Sequence, residues 1–206
     1  MKNVLIIGAG GQIPEVLIPL LQEQANLKLT LFVRNAEDLP YGNATNISGD
    51  GSKLSDVENA MKGQDIVYMN FDNKAVTEVV IKAMDKMGVK HIIQAGVLSV
   101  YGEVAEPFAT WNSRMMGGRV AHNRGIEAFE TSDLNYTYIR MTWLYNAQKK
   151  DYFASPKGEP FLGAQISRHA VAQFVCSNIT GKRNDIRTSI GLWEQDSENK
   201  VKPDFY

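Results

Sequence analysis

The apolar run Val4-Leu5-Ile6-Ile7 breaks at Gly8-Ala9-Gly10-Gly11, and this junction limits the fold more than any other stretch of the chain. Four successive apolar residues without polar alternation describe a strand buried on both faces, the pattern of a parallel sheet. A parallel neighbour requires a crossover, usually a helix. One begins at once, because Val16, Leu17, Leu20 and Leu21 recur at helical spacing.

The alternation continues. Leu27 to Val33 and Thr45 to Ser48 read as the second and third strands, and Leu54 to Met61 as a helix with Ser52 or Lys53 near its start. Asp65 to Met69 is the fourth strand, followed by a helix from Lys74 to Met87 that Gly88 stops. His91 to Ala95 is the fifth strand, Arg119 to Thr131 a helix, Tyr136 to Arg140 the sixth strand and Arg168 to Ile179 the last helix. A polar tail carries weak strand character at Arg187 to Ile190. Right-handed crossovers between such strands give an α/β fold, a single Rossmann-type doubly wound parallel sheet with helices on both faces, in one domain over residues 1–206. Pro19 falls inside the first helix, which predicts a bent or interrupted element there.

Charge and composition exclude several classes. Lys and Arg total 22 against 23 acidic residues, a net charge of -1, so no basic footprint for nucleic acid or an anionic membrane exists. Cys176, the one cysteine, sits in an apolar stretch and reads as a core thiol. His91, His122 and His169 lack metal-ligand spacing, so no metal site is expected. The apolar N-terminal run is too short for a secretory signal and no stretch is long enough to span a bilayer, which predicts a cytoplasmic protein.

The glycine turn is the first candidate site. Gly8 permits the tight exit from the strand and Gly11 lets a pyrophosphate approach the backbone, with Gly10 a further cofactor-binding position of the turn. Gln12 and Ile13 open the helix, whose free N–H groups and positive dipole end suit phosphate. A ligand-free structural turn is the alternative, but its place at the first strand-to-helix turn favours a dinucleotide. At the end of the second strand, Arg34 stands where an NAD site carries an acid. A guanidinium there suits a 2′-phosphate, so NADPH is expected ahead of NAD, with a solvated arginine as the alternative. Asp50, beside Gly51, has two open roles, contact with the adenine edge or capping of the following helix. Asn70 and Phe71 end the fourth strand beside the adenosine or the ribose nearer the nicotinamide, unless Asn70 only terminates the strand.

Gly8-Ala9-Gly10-Gly11, Arg34 and Gly49-Asp50, with Gly63-Gln64-Asp65-Ile66-Val67, Gly88-Val89-Lys90-His91-Ile92-Ile93, Leu134 to Arg140 and Ser167-Arg168, follow one another in a recognisable order. In this the chain resembles the atypical short-chain dehydrogenase/reductases, specifically NmrA-like and biliverdin-IXβ-reductase-like NAD(P)H-binding proteins. Pro14 occupies the third family glycine's place. The resemblance implies that catalytic members use a Ser, a Tyr and a Lys. The corresponding positions here hold Val97, Val120 and Arg124, so Val97 and Arg124 are expected to line the cofactor and no catalytic acid is assigned. Tyr145 and Lys149 have the right spacing but lie beyond the sixth strand, where the match is coincidental.

Without that acid, a held nicotinamide still delivers hydride to acceptors that need little help, such as quinones and flavins. The expected function is an NADPH-dependent oxidoreductase acting on a small planar acceptor. The segment Val104 to Gly118, with Phe108, Trp111, Met115 and Met116, either forms a lid for a flat ring or covers the sheet edge or a partner interface. Tyr101, Trp143 and Tyr145 are further candidates for the pocket. Arg168 either meets a carbonyl or carboxylate or forms a surface ion pair. The alternative function is a non-catalytic NAD(P)-binding redox sensor, a role the NmrA-like resemblance also implies. Epimerase or dehydratase chemistry is disfavoured by the missing acid. A homodimer or a protein partner stays open.

Overall fold

A computed structural model describes residues 1–118 and 120–206, and of Asp38 only the backbone. The chain runs β1 (Lys2–Ile7), α1 (Gln12–Gln22), β2 (Leu27–Val33), β3 (Thr45–Ser48), α2 (Leu54–Met61), β4 (Ile66–Met69), α3 (Lys74–Met87) and β5 (His91–Val97). It continues through α4 (Phe108–Met116), α5 (Ile126–Glu130), β6 (Asn135–Met141), β7 (Trp143–Tyr145), β8 (Phe153–Pro156), β9 (Gln165–Ser167), α6 (Arg168–Thr180) and β10 (Thr188–Trp193).

Eight strands form one sheet in the order β3-β2-β1-β4-β5-β6-β10-β8, parallel except for β8, which runs antiparallel to β10. β7 and β9 form a separate parallel pair. The strand order reverses beside β1, which pairs with β2 on one side and β4 on the other. Alternate residues of β1 feed two cores. Val4 and Ile6 pack with Ile13 and Leu17 of α1 and Phe174 of α6. Leu5 and Ile7 pack with Val57 of α2, Val80 of α3 and Phe129 of α5. The doubly wound sheet with helices on both faces is therefore observed.

Local chemistry explains the better-defined ends. Asn73 caps α3 by accepting from the Val76 N–H at 3.1 Å, and Gly88 closes it in the left-handed conformation at φ 72°. Ser167 caps α6 by accepting from the Ala170 N–H at 3.0 Å.

Four expectations change. α1 runs from Gln12 to Gln22 without interruption at Pro19. Pro19 and Glu15 both lie on the exposed face, so the Glu15 carbonyl that loses its helical partner is open to water. The helix expected over 119–131 is reduced to Ile126–Glu130, its first residue, Arg119, lying outside the described residues. Asn123 takes a positive φ of 56°, and the Gly125 N–H donates to the Asp72 carboxylate at 2.7 Å. That long-range bond starts the helix late. The proposed lid contains α4, whose Phe108 is buried with Phe161 and Trp193, while Met115 and Met116 stay exposed. The weak strand near Arg187 is instead β10, well buried between β6 and β8.

Two tight spots hold the β5 side of the sheet. A Cβ on Gly96 would lie 2.1 Å from Cζ of the buried Tyr138 ring. Arg140 of β6, fully buried, lies 3.2 Å from Glu103. That contact is ionic but not aligned as a hydrogen bond, and Arg140 also donates to Ser189 Oγ and to the Ser155 and Pro156 carbonyls. Glu103 in turn accepts the backbone N–H groups of Ser99 and Tyr101, pinning the loop after β5.

Gly96→Ala should cost about 1–3 kcal/mol in denaturant unfolding, because the Tyr138 ring it would meet is fully buried and tied through its hydroxyl to Asp72. Gly42→Ala, with nothing within 4 Å of the added methyl, should stay within about 0.5 kcal/mol of wild type. Glu103→Ala should cost about 3–5 kcal/mol by leaving the Arg140 charge buried without its counter-ion. A loss below about 1 kcal/mol would mean that the pair carries no such penalty.

Candidate functional site

Parallel strands all present their carboxyl ends to one edge, and the crevice opens where strand order reverses. Here that place lies between the loops after β1 and β4, and the glycine turn occupies it. Gly8 has a φ of 81° and donates to the Phe32 carbonyl at 2.9 Å. The Gly11 N–H bonds the Gly8 carbonyl at 3.1 Å, which closes the turn. Gly11 then caps α1 with no side chain, and the first helical backbone bond runs from the Glu15 N–H to the Gly11 carbonyl. The N–H groups of Gly10, Gln12 and Ile13 consequently have no backbone acceptor among the described residues. Pro14 takes the remaining place in the first turn, where a missing donor costs nothing.

The loop after β4 presses on this turn. Asn70 accepts from the Tyr68 hydroxyl at 2.9 Å, and its amide nitrogen would lie 2.1 Å from a Cβ on Gly11. The Phe71 ring reaches within 3.0 Å of the corresponding point on Gly8. A methyl group on Gly11 would displace the Asn70 amide, and one on Gly8, where φ is positive, would in addition crowd the Phe71 ring.

Gly8, Gly10 and Gly11, with Arg34, Asp50, Gly51 and Phe71, line a cavity of about 740 Å³. Arg34 is exposed at its rim beside Asn35 and Ser52. Asp50 accepts from the Ser52 N–H at 2.9 Å and its hydroxyl at 2.7 Å. Those two bonds hold the carboxyl below its usual range, helped by the charges of Lys53 and Arg34. Asp50 does not cap α2, whose N-cap is Lys53. Gln12 is exposed and Ile13 is buried in the core; neither they nor Asn70 line this cavity, which the chain leaves at Gly11.

Val97 and Arg124 are not in this group. They line a second cavity of about 610 Å³ over the ends of β5 and β6, with Val120, Met141, Trp143 and Arg168. Arg124 Nε and Thr142 Oγ1 are buried and have no hydrogen-bond partner among the described residues. Arg168 donates to Asn146 Oδ1 at 2.9 Å, and burial lowers its pKa. Of the four apolar side chains named for the lid only Met116 reaches this cavity, together with Asn112, Gly117 and Gly118 of the same segment. Of the three aromatic candidates only Trp143 does, held by a bond from its indole N–H to Asn112 at 2.9 Å.

Tyr145 and Lys149 both turn to Glu194, with Tyr145 Oη 2.8 Å from Oε1 and Lys149 Nζ 3.2 Å from Oε2. Burial and the Glu194 contact push the Tyr145 phenol up to about 12. The pair is a structural tie outside the second cavity. His122 is exposed on the cavity wall and belongs to no helix, while His169 lies in the first turn of α6.

The sequence reading missed the residue that joins the two cavities. Asp72, just after Phe71, accepts from the Gly125 N–H and from the Tyr138 hydroxyl. Burial, and then Asp72 itself, raise the Tyr138 pKa, so the phenol remains a donor. The Val97 N–H donates to the same phenol at 3.3 Å. Asp72 thus links the loop against the glycine turn to the segment bearing Arg124. The run of four polar or aromatic residues Asn70-Phe71-Asp72-Asn73, directly at a strand end, was the available signal.

The residues fit a dinucleotide. Two cavities share one edge of the sheet, the first has free backbone donors beside a cation, and the second has an apolar wall with unsatisfied polar atoms. Known proteins agree. A short-chain dehydrogenase/reductase from Veillonella parvula in complex with NADP matches with a TM-score of 0.92 at 26% identity, over 99% of this chain and 99% of that one. A Rossmann-fold NAD(P)-binding family protein from Shigella flexneri matches with a TM-score of 0.81 at 33% identity, over 100% of both chains. An anaerobilin reductase from Escherichia coli shares the fold, with a TM-score of 0.76 at 18% identity, over 95% of this chain and 98% of that one. No curated protein matches the chain. A family model described as NAD(P)H-binding matches residues 8–182, well over half of the sequence, and the chain belongs to that NAD(P)H-binding family.

Proposed function

We propose that the protein is an NADPH-dependent reductase of a small planar acceptor, a quinone or a flavin. The observation that carries this reading is the contrast between the two cavities. The first has glycines that admit phosphate, the free N–H group of Gly10 and the cation Arg34 where a 2′-phosphate would lie, and the free N–H groups of Gln12 and Ile13 follow directly at the start of α1. The second is walled by Val97, Leu98, Met141, Trp143 and Leu144, and among the described residues its lining includes no tyrosine, lysine or carboxylate. NADPH, when bound, supplies a hydride, and with one solvent proton this converts a quinone to its hydroquinone and leaves NADP⁺. The chain's own residues contribute position and apolar contact for the ring, and solvent supplies the proton.

Preference for NADP is supported by Arg34 and by the NADP in the Veillonella relative. Arg124 occupies the place of the family lysine and would face the nicotinamide ribose, its orphaned Nε finding an acceptor there. A second reading, a cofactor sensor without turnover, draws on the same missing acid: Val97 and Val120 leave the serine and tyrosine places empty of hydroxyls.

Arg34→Ala should raise the NADPH dissociation constant by about 10- to 100-fold while leaving NADH nearly unaffected, the worth of charge-assisted bonds to one phosphate. Equal effects on both cofactors would remove the 2′-phosphate role. NADPH oxidation followed at 340 nm with a panel of quinones and flavins should show turnover with at least one. If none reacts while reduced and oxidised cofactor shift the melting temperature differently, the sensor replaces the reductase.

A further inference from the structure

The indole of Trp143 lines the second cavity, and two rings that do not line it hold the indole in place. Trp111 of α4 lies 5.1 Å from it at 60°, and Tyr206 lies 5.0 Å from it at 83°. Trp111 and Tyr206 also meet, 5.2 Å apart at 72°, so the three rings close a triangle of edge-to-face contacts. Such contacts set the positive edge of one ring against the negative face of the next, and they fix orientation as well as distance. The three rings come from α4, β7 and the segment 203–206, which are remote from one another along the chain.

Two of these rings have support from the interior. Trp111 stacks on the buried Phe108 at 5.8 Å, and the Trp143 indole donates to Asn112. Tyr206 is half-exposed, and the residues before it supply its anchor. The buried Gln165 side chain of β9 accepts from the Asp204 N–H at 2.7 Å and donates to the Asp204 carboxylate at 3.2 Å. Lys200 Nζ lies 2.6 Å from the same carboxylate. Pro203 is buried, and its carbonyl accepts from the Tyr206 N–H at 3.2 Å. One amide that bonds Asp204 at both its ends sets the path of the segment, and that path delivers the Tyr206 ring to Trp143. Because α4 also brings Asn112 and Met116 to the cavity, Tyr206 braces two of its walls.

Resting on the reductase reading, we propose that Tyr206 is a positioning residue for the acceptor, which holds the Trp143 indole as a fixed flat surface for a two-ring acceptor. Tyr206 acts through Trp143 and touches neither cofactor nor acceptor. Without the brace, binding has to order the indole itself and loses affinity by that amount. Two fused rings cover more of an indole than one ring does, so a one-ring acceptor depends less on how the indole is set. The ring contacts carry the effect, and a phenyl group in place of the phenol preserves it.

Menadione, with two fused rings, and duroquinone, with one, test this. Binding of each is measured calorimetrically to the protein saturated with NADP⁺, and KM and kcat are measured with NADPH. Tyr206→Ala should weaken menadione binding and raise its KM about 3- to 10-fold, the worth of one ring contact or one ordered side chain. Duroquinone binding, kcat and NADPH affinity should stay near wild type, and Tyr206→Phe should restore menadione binding. The near-ultraviolet circular dichroism of the neighbouring Trp111 and Trp143 should change in Tyr206→Ala and recover in Tyr206→Phe. Unchanged menadione binding in Tyr206→Ala overturns the proposal. So does an equal loss for both quinones, or a matching loss of NADPH affinity, since either would mean that the segment supports the fold or the cofactor. Tyr206-dependent menadione binding without turnover supports the brace and refutes the reductase reading. Binding of neither quinone by the wild-type protein overturns both, so the failures are distinct.

Discussion

Everything functional in this molecule depends on β1 being hydrogen-bonded in parallel to β2 on one side and β4 on the other. That pairing sends the chain to opposite halves of the sheet from one central strand, and it leaves the loops after β1 and β4 facing each other across a gap. The gap is narrow. Asn70 and Phe71 come so close to Gly11 and Gly8 that a methyl group on either glycine would meet them. The glycines are thus demanded by packing against the neighbouring loop as much as by any ligand. What packing leaves free, the N–H groups at the start of α1, is what a pyrophosphate uses.

The two cavities differ in how they are held. The first is built on the strand ends themselves, with Arg34 and Asp50 placed by β2 and β3. The second relies on longer connections, and buried polar groups fix them. Glu103 and Arg140 pin the loop after β5, and Asp72 holds Gly125 and hence the segment carrying Arg124. Such networks rigidify when each member is satisfied. The position of Arg124 is then coupled through Asp72 to the loop that closes on the glycine turn.

The central sheet was legible because its signals are local. Uninterrupted apolar runs such as Val4 to Ile7 and Ile66 to Met69 have few alternatives, and Gly8 and Gly88 mark positive φ where the sequence has glycine. The helix over 119–131 was misread because its start is set by Asp72, a residue 53 positions away, and no local pattern announces that bond. The burial of Phe108 was hidden for a related reason, since its partners Phe161 and Trp193 lie far along the chain. Asp50 was readable as functional in kind but not in detail: its bonds to Ser52 shape the cavity floor rather than cap a helix. The separation of Val97 and Arg124 from the glycine turn required the three-dimensional arrangement of β5 and β6.

The central claim is that a dinucleotide lies over the turn from Gly8 to Gly11. Titration of the protein with NADPH, following the enhancement of nicotinamide fluorescence, tests it most directly when wild type is compared with Gly11→Ala. The account predicts saturable binding at one site per chain in the wild type, and its loss in Gly11→Ala with the far-ultraviolet circular dichroism spectrum retained. A Gly11→Ala protein that binds NADPH as tightly as wild type would contradict the account, because the cofactor would then lie elsewhere.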